Sequence, residues 1–289
     1  MQFEVALAAA DELGEGPWWS VEHQCLWRVD IRGRLLHRWR PADDDEQTHR
    51  MPGDIGFAVP MDDGRLVVGL RQGLASFDPA TGNVEVLAHP APDRPELRFN
   101  DGKTDRDGRL WAGTLTDDER EPTAALHRLS DEGNLVTVVD GVVVSNGLGW
   151  SPDGRTMYYT DSGPQTIWAF DFDPETATAT DRRVFATDRD HYPDGRTVDA
   201  EGGVWSAKWD GSQVVRYDSE GRVSAVVEAP VARPTSCMFG GPSLDTLYVT
   251  SARFGLSRDE LVGTPAGSVL AVQPGVAGIV EVPWRGITG

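Results

Sequence analysis

Glu15, Asp54, Asn100, Asn146, Asp194 and the pair Thr235-Ser236 recur along this 289-residue chain, at intervals of roughly 40 to 50 residues. All six positions carry an oxygen that can accept a proton or bind a cation. Glu15, Asn146 and Asp194 combine two carboxylates with one amide carbonyl, a hard donor set suited to Ca²⁺, Mg²⁺ or Mn²⁺ and compatible with Zn²⁺ or Fe²⁺. Two negative charges balance one divalent cation. Singly, Asn146-Gly147 and Asp194-Gly195 are ordinary turn pairs. Their register distinguishes them from the turn aspartates Asp63, Asp107 and Asp153, which stand just before a second strand, whereas Asn146 and Asp194 stand before a first strand. Glu15 lies in Leu13-Gly14-Glu15-Gly16-Pro17, where the flanking glycines and proline shape the backbone around it.

Arg98 and Asn100, in Arg98-Phe99-Asn100-Asp101-Gly102-Lys103, can donate to ring oxygens and hydroxyls. Asp118 can accept from hydroxyls, so the three suit a small polyol substrate. Other hydrolytic machinery is missing: the chain has no Gly-x-Ser-x-Gly elbow, no His-Glu-x-x-His, no Cys-x-x-Cys, and no Walker or dinucleotide-binding glycine loop. A hydrolysis run here therefore calls for a metal-activated water or a metal-polarised carbonyl. Of the six His residues only His191, beside Asp194, is close enough in sequence to matter, and a supporting or surface role is expected for it.

The elements that must position these groups are short strands. Cys25-Leu26-Trp27, Leu66-Val67-Val68, Leu110-Trp111-Ala112, Met157-Tyr158-Tyr159, Val204-Trp205-Ser206 and Leu247-Tyr248-Val249 follow tight turns and recur roughly every 41 to 47 residues, the period of propeller blades. Each is followed by a third strand, such as Thr166-Ile167-Trp168-Ala169-Phe170. Several blades continue into a fourth, such as Val84-Glu85-Val86-Leu87. Four antiparallel strands repeated six times predict an all-β, six-bladed β-propeller around a central channel. No interblade linker is long enough to divide the chain, so residues 1–289 are expected to form one domain. The six polar positions then begin the six innermost strands and converge at one end of the channel. Closure of the ring falls either to Phe3-Glu4-Val5-Ala6-Leu7 or to Gly278-Ile279-Val280-Glu281-Val282. The irregular stretch Ser251 to Gly267 reads as an insertion near a mouth of the channel, with a helical turn over Leu256 to Leu261.

Composition agrees. Gly 32 and Pro 19 suit many turns. A net charge of −19 argues against nucleic acid and anionic membrane as partners. No signal-like or membrane-spanning segment is evident, so a cytoplasmic location is expected, with a monomer or weak homo-oligomer acting on a small molecule. Cys25 and Cys237 are expected as buried free thiols, and the ten Trp mostly as blade-packing residues.

These residues resemble the SMP-30/gluconolactonase/luciferin-regenerating-enzyme family over nearly the whole chain. Leu13-Gly14-Glu15-Gly16-Pro17, Arg98-Phe99-Asn100-Asp101-Gly102-Lys103, Glu121-Pro122-Thr123, Ser145-Asn146-Gly147-Leu148, Tyr159-Thr160-Asp161-Ser162, Pro193-Asp194-Gly195 and Phe239-Gly240-Gly241-Pro242 carry the resemblance, in the family's order. It implies a six-bladed propeller with one catalytic divalent metal, Ca²⁺ first among the candidates, opening a sugar lactone such as a gluconolactone, xylonolactone or arabinonolactone. It maps the metal ligands to Glu15, Asn146 and Asp194, with Asp194 also the base, and the substrate contacts to Arg98, Asn100 and Asp118. The alternatives are an organophosphate or ester hydrolase using the same channel, or a non-catalytic calcium-binding propeller. Two residues depart from the family pattern. Gly149 stands where Asp is usual after Ser-Asn-Gly-Leu, and Asp118 stands where Glu is often found, which leaves the identity of the lactone open.

Overall fold

A computed structural model describes residues 1–287 of the chain. It contains six four-stranded antiparallel sheets arranged as a six-bladed β-propeller. The innermost strands are Gly14–Ser20, Ile55–Pro60, Leu97–Thr104, Ser145–Trp150, Tyr192–Val198 and Pro234–Gly240, numbered here as blades one to six. These strands are buried at almost every position because each has a neighbouring blade on either side. The outermost strands are largely solvated, as in Asp45–Arg50, whose polar side chains protect an unpaired edge.

The ring is closed by the N-terminal segment. Glu4–Leu7 pairs antiparallel with Val269–Val272, the third strand of blade six. Phe3 anchors it in the core, at 6% exposure. The C-terminal candidate runs elsewhere. Its Gly278 bridges Asp199 of blade five and its Trp284 bridges Met61 of blade two. Glu281 pairs with Lys103 of blade three at 2.9 Å. These partners follow or lie near the ends of the innermost strands, so the segment laces across the channel end opposite the polar ring.

Blade packing uses the large aromatics as expected. Trp111, Trp150 and Phe172 pack edge-to-face or tilted between blades three and four, with Trp111 and Trp150 centroids 5.7 Å apart. Cys25 and Cys237 are buried free thiols. The insertion after Ser251 contains the expected helical turn, at Arg258–Leu261, closed by a Ser257–Glu260 capping box. Among the described residues no helix is long and apolar enough to cross a membrane.

A bulge interrupts the pairing of every innermost strand near its start, between Glu15 and Trp18, Ile55 and Phe57, Phe99 and Gly102, Asn146 and Leu148, Pro193 and Arg196, and Pro234 and Cys237. A bulge frees the strand from its ladder and re-aims the side chain beside it. Glycines permit the close approach of neighbouring strands at this level. A Cβ on Gly56 would lie 2.2 Å from the carbonyl oxygen of Asn100, and one on Gly147 would lie 2.6 Å from that of Asp194. The period seen in the sequence is therefore a repeated bulge that turns polar side chains toward the axis.

Candidate functional site in the channel

Glu15, Asn100, Asn146 and Asp194 line one cavity of about 330 Å³, together with Arg98. This volume lies within the range usual for small-molecule sites, about 300–1,000 Å³. All five side chains are buried. Apolar wall is supplied by Leu13, Ile31, Leu115 and Val144, while Tyr192 and Phe254, 44% and 39% exposed, mark the rim.

The backbone leading into two of these residues is held by aspartates from the adjoining strand end. Asp30 accepts from the amides of Glu12, Leu13 and Gly33 at 2.9–3.0 Å. Asp161 does the same for Val143, Val144 and Gly163 at 3.0–3.3 Å. These clamps fix the chain just before Glu15 and Asn146. Asn146 donates from Nδ2 to Ser162 Oγ at 3.2 Å, and Ser162 donates in turn to the Pro193 carbonyl at 2.7 Å. The amide is thereby oriented with Oδ1 on its other side, where among the described residues it accepts only from Gly147 N–H at 3.1 Å.

Electrostatically the site is short of positive charge. Burial pushes the Glu15 carboxyl well above its ordinary range, and the charges of Asp194 and Asp101 add to this. Burial also drives Asp194 upward, again with Asp101 opposing its ionisation, and the Asn146 amide and Gly195 N–H pull the other way without cancelling it. Asp194 Oδ1 is buried with no hydrogen-bond partner among the described residues. An orphaned oxygen next to a second buried carboxylate and an oriented amide oxygen fits a bound divalent cation. Among the described residues no group of three His, Cys, Asp or Glu could hold a metal. This set differs in having an amide as its third member.

Arg98 is held to about 10 by burial, which outweighs the pull of Glu119 and is reinforced by the like charges of Arg32 and Arg71. It donates from Nη1 to the Phe99 carbonyl at 3.1 Å and to Asn100 Oδ1 at 2.9 Å. Asn100 Nδ2 donates to the Ser145 carbonyl at 2.9 Å, so it ties blade three to blade four while holding Arg98.

Asp54, the Thr235-Ser236 pair, Asp118 and His191 fall outside the cavity. Asp54 is bound by Arg71 at 3.0 Å and Arg34 at 3.2 Å, with Arg32 at 3.7 Å. Burial works to raise its carboxyl, yet these arginines hold it below the usual range. Thr235 hydrogen-bonds sideways to the Gly14 carbonyl and to Thr250. Asp118 is exposed and accepts from Thr116 Oγ1 at 2.8 Å; its neighbour Glu119, in the left-handed region at φ 52°, reaches the cavity instead. His191 is absent from the lining, whereas Tyr192 and Trp209 contribute to it. Glu119, Arg32 and Phe254 had no periodic signal because all lie in turns and loops, and Ser162 was visible only as part of a motif.

Fold and site together define a six-bladed propeller that places a buried oxygen-donor cluster at one end of its axial channel. The chain belongs to the SMP-30/gluconolactonase/LRE-like family, whose model matches residues 13–253. It is 37% identical over 282 residues to an L-arabinolactonase of Azospirillum brasilense, covering 95% of this chain and 92% of that protein. It is 35% identical over 277 residues to a 6-deoxy-6-sulfogluconolactonase of Pseudomonas putida, covering 95% of each. The crystal structure of a calcium-binding protein, regucalcin, from Agrobacterium tumefaciens superposes with a TM-score of 0.93 at 29% identity, covering 97% of this chain and 96% of that one.

Proposed function

We propose that this chain is a divalent-metal-dependent lactonase that hydrolyses a sugar lactone to its aldonic acid. The observation that carries the reading is the buried pair Glu15 and Asp194, with Asp194 Oδ1 unpartnered, in a sugar-sized cavity that also holds Arg98 and Asn100. Relatives named as sugar lactonases support the chemistry, and the calcium-binding regucalcin supports Ca²⁺ as the first choice of cation.

Glu15, Asn146 and Asp194 would hold the cation. When bound, it supplies Lewis acidity to the lactone carbonyl and lowers the pKa of nearby water. Asp194 accepts a proton from the attacking water as general base. The water oxygen bonds to the carbonyl carbon, the ring C–O bond breaks, and the departing ring oxygen takes up a proton to leave the open-chain hydroxy acid. Arg98 and Asn100 orient the ring oxygens and hydroxyls, and their mutual hydrogen bond pre-sets that geometry. Glu119, rather than Asp118, accepts from a substrate hydroxyl.

The test is acid release from a panel of sugar lactones by chelator-stripped protein, before and after each divalent cation is restored, with the uncatalysed opening subtracted. Metal-restored turnover on a lactone is expected. Activity that survives stripping unchanged, or turnover only of phosphotriesters or aryl esters, rules the reading out.

A further inference from the structure

On a chain of net charge −19, two arginines, Arg32 and Arg98, line the cavity with Glu119. Outside the lining, Arg34 and Arg71 are taken up by Asp54 and Asp117. Asp54 is bound by Arg34 and Arg71, and Arg71 also forks onto Asp117 at 2.8 and 3.0 Å. Glu119 is the carboxylate that acts most strongly on Arg98. Arg32 is left over. Its nearest carboxylate oxygen is 3.7 Å away, beyond hydrogen-bond distance, on an Asp54 already engaged twice. Its Nε is buried without a partner among the described residues, as is Nε of Arg98.

Arg32 is also held in place. Its guanidinium lies 5.0 Å from the centroid of Phe254, and both side chains line the cavity. Stacking on an aromatic face fixes the plane of the fork and lowers the entropy lost when it binds. Depth separates it from the reacting groups: Arg32 is half-buried, whereas Glu15 and Asp194 are buried. Arg32 and the carboxylate pair line one cavity, so a lactone seated with its carbonyl at the pair and its exocyclic end outward would bring that end to the Arg32 side.

We infer that the cavity selects sugar lactones carrying an oxyanion on the exocyclic carbon, a phosphate, sulfonate or carboxylate, and that Arg32 is the residue that recognises it. This rests on the lactonase reading and narrows its substrate class. A planar guanidinium with free donors matches such a group in a way that neutral hydroxyls do not, and a site built for an absent partner discriminates against ligands lacking it.

The experiment compares kcat/KM for glucono-1,5-lactone with its 6-phospho and 6-sulfo analogues and with a lactone bearing a C6 carboxylate, at low and high salt, in wild type, Arg32→Gln and Arg32→Lys. At least one anionic lactone should exceed the neutral parent by about tenfold or more in wild type, a margin that salt reduces. Arg32→Gln should collapse that ratio through KM, and Arg32→Lys should restore part of it. Which anion gains most identifies the oxyanion. Neutral lactones turned over as well as every anionic one, or a ratio unmoved in Arg32→Gln, overturns the inference and leaves the lactonase standing. No turnover of any lactone overturns both.

Discussion

Replacing Glu15 by Gln should stabilise the cation-free protein while abolishing its response to cations. The amide oxygen can keep the bond from Gly16 N–H, 3.0 Å in length, while the charge that Asp194 and Asp101 oppose is gone. Relieving an ill-compensated buried charge is worth about 1–3 kcal/mol. For a chain of this size the unfolding entropy is about 0.6 kcal/mol/K, so Tm in chelator should rise by about 2–5 °C. A cation at a hundredfold excess over its Kd contributes about 2.7 kcal/mol, or roughly 4 °C, in wild type and nothing in the variant. The order of stabilities therefore narrows or reverses when the cation is added. The pH dependence has a definite sign. Both carboxyls have folded-state pKa values above their unfolded ones, so the folded form holds protons that the unfolded form releases. Stability from these two groups falls as pH rises from about 4, and the advantage of Glu15→Gln should widen from pH 5 to pH 8. Calorimetry with chelator and with each cation would measure all of this. A variant less stable than wild type in chelator at pH 8, or one that keeps the cation shift, would refute the charge-pair account.

Three further perturbations probe the framework. Gly149→Asp should raise Tm by a few degrees. Its nearest contacts are Val198 Cγ2 at 3.0 Å, a methyl that must give slightly, and Arg196 carbons at 3.6 and 3.8 Å, and it brings a carboxylate to a buried guanidinium whose three nitrogens lack partners among the described residues; an Arg196→Met background should erase the gain. Glu119→Ala should lower kcat/KM on the best lactone by about tenfold or more, the cost of a lost charged hydrogen bond, whereas Asp118→Ala should stay within about threefold. The reverse ranking would return the role to Asp118. Asp161→Ala orphans three backbone amides, and should cost about 2–3 kcal/mol in thermal unfolding and weaken the cation shift by loosening the approach to Asn146.

The blade count was legible because it is local: each turn and the strand after it repeat within one stretch of chain. Closure was not, since both termini read as strands. What decides is the burial of Phe3 against blade six and the anchoring of Glu281 to Lys103 on the opposite face. The periodicity makes six positions equivalent, of which Glu15, Asn100, Asn146 and Asp194 line the cavity. Asp54 was lost to arginines brought by turns of blades one and two, a long-range encounter that no periodicity encodes. The Gly149 departure has a structural counterpart of the same kind: the Arg196 side chain lies against Gly147 and Gly149, from a strand nearly fifty residues later.

Two buried carboxylates that repel each other would ordinarily move apart or take up protons. Here the frame denies them the first route. Asp30 pins the amides ahead of Glu15, Asp161 and Ser162 hold the Asn146 strand and link it to the Pro193 carbonyl beside Asp194, and glycines let the inner strands approach too closely to slide. The C-terminal segment ties blades two, three and five together at the far end of the channel, so the blades cannot splay to relieve the charge. What remains is protonation or capture of a cation. A propeller whose inner strands are over-determined in this way keeps an electrostatically costly site assembled for chemistry at the expense of some stability. Loosening any one clamp should therefore cost cation affinity before it costs the fold.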